Sequence, residues 1–272
     1  MATWTLDDIC WDRFDGTKVS DAVIRAVKAA ALVEYNSADY VTYLRKVFHD
    51  DPAFVAAAET WGEEEAQHGR ALGRWAEMAD PAFDFEAAFA AFREGYRIPV
   101  DATESVRGSR SGELIARCVV ESGTSSYYTA MKERTQEPVL RQIAAHIAAD
   151  EFRHYKLFYE HLQRYRAAER PMLLRRLGVA LGRIREAEDD ELAYAYHCAN
   201  IGADRPYDRA RCAGAYEEVA LSLYERRHTD RLISMSMKAV GLDPHGRTAS
   251  VIGAVTWNGL RLKQGWKQKR AA

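Results

Sequence analysis

Trp61–Leu72 reads WGEEEAQHGRAL, and Ile147–Leu157 reads IAADEFRHYKL. Each stretch contains the word Glu-x-x-His: Glu65 with His68, and Glu151 with His154. Residues three apart on an α-helix share a face, so each word turns a carboxylate and an imidazole the same way. One such word arises by chance in many chains of this length. Two are informative when each sits mid-helix and follows a further helix carrying an isolated acid. Those acids are Glu34, in AALVEYNSADY, and Glu121, in ARCVVESGTSSYY. The order is therefore Glu, Glu-x-x-His, Glu, Glu-x-x-His. It predicts an all-α chain whose four long helices turn these six side chains toward one another.

The surrounding pattern supports four helices. Residues 1–17 read as irregular, and Ser20-Asp21 is a helix start. One long helix is expected from there to about His49, with Val23, Val27, Ala30, Ala38, Val41 and Leu44 on its apolar side and Glu34 within that stripe. A carboxylate on an apolar stripe is costly unless it is paired or metal-bound. Asp51-Pro52 starts a second helix that runs to about Asp80, with Phe54, Ala58, Trp61, Glu65, His68, Leu72 and Trp75 on one face. A short aromatic helix follows over 82–97, then a crossover loop over 98–111. The third long helix is expected over 112–136. Its interior Gly123 costs about 1 kcal/mol relative to Ala and suggests a local bulge beside a site. Pro138 opens the fourth, over 138–167. Further helices are expected over 171–187, 189–200, 207–227, 228–240 and 247–262, before a basic tail, LRLKQGWKQKRAA. This divides the chain into residues 1–170, which hold the four helices, and 171–272, additional helices packed on them in the same domain.

Composition excludes several classes of function. The 272 residues are 47% hydrophobic and 29% charged, ordinary for a globular protein. A net charge of -2 gives no basic field for nucleic acid. Cys10, Cys118, Cys198 and Cys212 are scattered, with no Cys-x-x-Cys word, which fits a reducing cytoplasm and no zinc knuckle. The first residues lack the apolar core of a signal peptide. No apolar run approaches the roughly 20 residues of a membrane span. There is no Gly-rich nucleotide fingerprint.

Four carboxylates and two neutral imidazoles supply a charge of about -4 with mixed oxygen and nitrogen donors. That set suits two divalent transition metals such as iron or manganese, whereas structural zinc prefers Cys and His in a closed tetrahedron. Either Glu34 with Glu121 or Glu65 with Glu151 can bridge the two ions. A ligating imidazole usually donates its other N–H to a carboxylate. Asp150 and Glu64 each precede a ligand Glu and are placed to serve the histidine of the opposite word. Tyr127, Tyr128, Phe54, Trp61, Phe158 and Leu72 are candidates to line a substrate channel, although aromatic stripes are more often plain core.

The segments TWGEEEAQHGRALGRW and IAAHIAADEFRH resemble the two metal-binding helices of the soluble acyl-carrier-protein desaturases, a ferritin-like di-iron carboxylate family. The resemblance covers about residues 20–165. It implies a ferritin-like four-helix bundle with Glu34, Glu65, His68, Glu121, Glu151 and His154 as iron ligands. It also implies Thr124 as the threonine near the oxygen site and Asp150 as the acid hydrogen-bonded to His68. The cofactors implied are two iron ions, with manganese an option at one site, and O2 as co-substrate. The partners implied are an acyl carrier protein or acyl-CoA substrate, an electron donor such as ferredoxin, and a second copy of the chain in a homodimer. Arg45, Lys46, Arg107 and Arg110 are available to meet an acidic carrier. The segment around Glu121 departs from the family pattern, and 171–272 shows no match to it. The oxygen chemistry is thus better supported than the substrate. The same six ligands also serve hydroxylases, N-oxygenases, oxidases of a bound fatty acid and ferroxidases.

Overall fold

The computed structural model describes residues 4–187 and 190–271, and every regular element among them is a helix. The long helices are α1 (Asp21–Tyr35), α2 (Ser37–Val47), α3 (Pro52–Ala79), α4 (Phe85–Gly95), α5 (Arg110–Arg134) and α6 (Pro138–Glu169). They are followed by α7 (Leu173–Ala187), α8 (Glu191–Asn200), α9 (Arg209–Leu223), α10 (Arg226–Ala239) and α11 (Arg247–Ala271).

Local chemistry sets the starts of the helices that carry the site. Asp51 accepts from the backbone N–H of Phe54 ahead of Pro52, and Ser109 accepts from Gly112. Glu137 accepts from Val139 and Leu140 ahead of Pro138. Its carboxylate is fully buried and also takes the indole N–H of Trp75, which ties the start of α6 to α3. α5 and α6 pack along each other, α1 and α2 lie on α3, and α3 meets α6. The interior between them is filled by residues such as Leu32, Leu72, Trp75, Leu114, Met131, Ile143 and Phe158.

Four expectations are corrected. The single helix expected from Asp21 to about His49 is broken at Asn36, whose N–H reaches back to Val33 in a tighter turn. The break shifts the phase of the stripe: Ala38 is exposed, while Tyr43, Leu44 and Val47 are buried. Residues 5–18 contain three short 3₁₀ turns and serve as a strap. Trp4 and Ile9 are buried in the core, and Gln142 of α6 bonds the backbone of Asp8 and Cys10. Residues 1–3 of the expected irregular segment lie outside the described residues, as does position 189. Gly123 marks no bulge, because α5 is continuous through it. The basic tail continues the last helix as far as Ala271.

The C-terminal helices cover the first six. α8 packs on α1 and α4, α7 and α10 pack on α5, and α9 touches both α1 and α5. No described helix is long and apolar enough to cross a membrane.

Candidate metal centre

All six expected ligand residues converge. Glu34 comes from α1, Glu65 and His68 from α3, Glu121 from α5, and Glu151 and His154 from α6. They form two overlapping groups: Glu34, Glu65, His68 and Glu151, and Glu65, Glu121, Glu151 and His154. Within each group the ligand atoms lie within 4.8 Å of one another. Glu65 and Glu151 belong to both, so of the two bridging arrangements open to the sequence, the geometry favours this pair. Even the most accessible of the six, Glu34, exposes only 8% of its surface.

The histidines are oriented alike. His68 Nε2 lies 3.1 Å from Asp150, and His154 Nε2 lies 2.8 Å from Glu64. An ionised carboxylate only accepts, so each Nε2 carries a proton and each Nδ1 is left to the interior. His68 Nδ1 faces Glu151 at 3.3 Å, with Glu34 and Glu65 both at 3.8 Å. His154 Nδ1 faces Glu65 at 2.9 Å and Glu121 at 3.9 Å. Neither Nδ1 has an aligned hydrogen-bond partner, and neither does Oε1 of Glu151. Buried polar atoms are rarely left so. Here three face the interior of the cluster, in a donor set whose four carboxylates would balance two divalent cations. The residues present fit a pair of metal ions.

Charge inside the cluster is redistributed accordingly. Burial pushes the Glu34 and Glu121 carboxyls well above their usual range, reinforced by the charges of Glu65 and Glu151. Burial also acts to raise Glu65, but the neighbouring imidazoles of His154 and His68 hold it well below the usual range. Burial works against a charged His154, yet Glu64 and Glu65 outweigh it and push its pKa up to about 9. His68 is raised well above its ordinary value in the same way, through Asp150 and Glu151. At neutral pH the metal-free cluster therefore holds protons that an incoming cation must displace. Metal loading is expected to release protons near pH 7, and apparent affinity is expected to rise with pH as His154 titrates. Calorimetry in buffers of different ionisation enthalpy measures that release, and no proton release would contradict the assignment.

Asp150 and Glu64 both act as the sequence suggested, each holding the histidine of the opposite helix. The arrangement extends further than the sequence showed. Arg153 reaches Asp150 at 2.8 Å and Glu64 at 3.1 Å, joining the two outer acids. Trp4 of the N-terminal strap donates its indole N–H to Asp150 at 2.8 Å and stacks on His68. Tyr128 donates to Glu34 at 2.6 Å, and Thr124 donates to Glu151. Arg153 had a signal, lying three residues after Asp150 on one helix face. Trp4 had none, because it is brought in over a sequence separation of 146 residues. Removing an acid that orients a ligand usually costs about 10- to 100-fold in metal affinity. Asp150→Asn is therefore expected to weaken the ion on the His68 side by that order, read by competition with a chromophoric chelator. Wild-type affinity in this variant would sink the role given to Asp150.

A cavity of about 700 Å³ adjoins the cluster. Glu34, Glu65, Glu121, Glu151 and Thr124 all reach its wall. Of the channel candidates, Trp61, Tyr127 and Tyr128 line it. Phe54, Leu72 and Phe158 are instead fully buried core, with Phe158 packed edge-on against Trp61. The C-terminal helices supply much of the outer wall, through Arg183 of α7, Glu191 of α8, Tyr216 of α9 with Tyr224 just after it, and Leu232 of α10. The lining residues Arg97, Pro99, Val106, Ile184 and Asp190 are exposed, which puts the mouth between the 96–109 connection on one side and Ile184 and Asp190 on the other. Three of the four basic residues considered for a carrier are already paired: Arg45 with Glu59, Lys46 with Asp101 and Arg110 with Asp50. Arg107 lines the cavity. No known family model matches the chain, and no curated protein matches its sequence.

Proposed function

We propose that this chain is a ferritin-like di-metal oxidoreductase that uses O2 to oxidise an unactivated C–H bond of an organic substrate. The observation that carries this reading is the junction of cluster and cavity: four carboxylates of the metal centre form part of the wall of a ligand-sized space. Iron oxidation alone needs no such space. A pair of iron ions bound by the six residues would supply the oxidising power.

The protein's own part can be assigned residue by residue. Glu34, Glu65, His68 and Glu151 would hold one ion, and Glu65, Glu121, Glu151 and His154 would hold the other. Asp150, Glu64 and Arg153 fix the imidazoles and stay on the side away from the cavity. Thr124 places a hydroxyl proton between the cavity and Glu151, with its Oγ1 2.5 Å from the carboxylate. Tyr127, Tyr128, Tyr216 and Tyr224 enclose the substrate and limit water. Acyl desaturation, the activity implied by the sequence resemblance, is one reaction of this class.

The test is a single turnover. Iron-loaded protein is reduced chemically and mixed with O2 and candidate substrates, including long-chain acyl carrier protein and free acids. Faster O2 uptake with a product that has lost two hydrogens or gained one oxygen supports the proposal. An O2 uptake that no organic compound alters, with every candidate recovered unchanged, would replace it with iron oxidation.

A further inference from the structure

Arg117 is a buried arginine that the metal centre does not use. It lies on α5 four residues before Glu121, about 6 Å along the helix axis, and it lines the cavity. Only 6% of its surface is exposed. Its Nε donates to Glu113 at 3.3 Å, and its guanidinium lies over the ring of Tyr40 at 4.7 Å. Glu113 is itself satisfied twice more, by Tyr43 and Ser105, each at 2.8 Å. The two terminal nitrogens of Arg117 donate to no protein group among the described residues. A buried guanidinium with a free fork is costly, and the geometry of that fork matches a carboxylate.

The surroundings agree. Arg97, Arg107 and Arg183 line the same end of the cavity, against the acids Glu113, Asp190 and Glu191. Counting Arg117, four arginines face three acids here, and burial pushes the Glu191 carboxyl up from its ordinary range. The other end is walled by Tyr127, Tyr128, Tyr216, Ala220 and Tyr224 and suits an apolar body. Gly123 lies between them, beside Thr124. A Cβ added there would meet no atom within 4 Å, so this helix-interior glycine leaves open space next to the cluster.

We infer that the cavity takes a free carboxylic acid with an apolar body, its carboxylate clamped by the terminal nitrogens of Arg117. The carbon presented to the metal centre then lies within a few bonds of the carboxyl group. A carrier-bound thioester has no anion at that position and leaves the fork unsatisfied. The inference rests on the oxidoreductase reading for the fate of the acid, but not for its binding.

Calorimetry on the metal-loaded full chain tests it. The probes are hexanoate, decanoate and 4-phenylbutyrate, each with its primary amide, together with decylamine. At least one acid is expected to bind more tightly than its amide by about tenfold or more, as for a hydrogen-bonded charge. Arg117→Gln is expected to erase that difference, and Arg117→Lys to restore part of it, with metal content unchanged in both. Gly123→Leu fills the space and is expected to abolish binding of acid and amide alike. The inference is overturned if no acid binds, if acids and amides bind equally, if decylamine binds best, or if Arg117→Gln keeps the preference. Should acids bind through Arg117 while no organic compound changes O2 uptake, the oxidoreductase reading fails and the binding site stands.

Discussion

Glu121→Ala protein is expected to retain about one metal ion per chain, and Glu151→Ala protein less than one. The asymmetry follows from the sharing of ligands. Glu121 belongs only to the group that contains His154, so its loss leaves Glu34, Glu65, His68 and Glu151 intact around the other ion. Glu151 belongs to both groups, and so does Glu65. Removing either takes a donor from each ion at once. It also removes the negative charge that lets two cations sit close together in a buried space, where their repulsion is poorly screened. Glu34→Ala is expected to mirror Glu121→Ala, retaining the ion on the His154 side. Metal analysis after desalting, on variants whose helical content matches wild type, gives the stoichiometries. Equal losses from all four substitutions would reject the bridging assignment, and two ions retained by Glu151→Ala would reject the site.

The parts of this site legible in the sequence are those set by helical periodicity. Glu65 with His68 and Glu151 with His154 are three apart, so one turn of helix places each pair, whatever the tertiary fold. Glu34 and Glu121 could be recognised because each interrupts an apolar stripe. Asp150 and Glu64 followed from the chemistry of histidine ligands, since each sits next to a ligand Glu and so points to the far side of the opposite imidazole. What could not be read depends on contacts between distant segments. The break at Asn36 pits a local turn against a stripe that looked continuous. Trp4 reaches Asp150 from a strap with no regular pattern. Arg117 carries no signal in the sequence, because the ring of Tyr40 that covers its guanidinium comes from α2. Residues 171–272 carry no metal word, yet they provide one wall of the cavity. Gly123 makes no bulge, and what it leaves beside the cluster is open space, since an added Cβ would meet no atom within 4 Å.

Gly69→Ala is expected to destabilise the protein by about 1–3 kcal/mol or more, the range for overpacking a close-packed interior. An added Cβ would stand 2.6 Å from the backbone nitrogen of Tyr35 and 2.7 Å from its Cα. Those atoms cannot rotate aside as a flexible side chain can, so α1 must move off α3 or bend. The contact lies beside the metal centre on both helices: Gly69 follows His68, and Tyr35 follows Glu34 and precedes the break at Asn36. A shift that relieves the clash therefore moves Glu34 relative to His68. It should cost the ion held by that pair before the one held by Glu121 and His154. Gly123→Ala is the internal control. It also replaces a helical glycine, but with nothing for the new Cβ to strike, it should stabilise α5 by about 1 kcal/mol. Urea unfolding of the metal-free variants, followed by metal titration, separates the two effects. If Gly69→Ala is as stable as wild type and binds metal normally, the close approach of α1 to α3 is not what positions Glu34. A stability loss with normal metal binding would confine the role of Gly69 to packing.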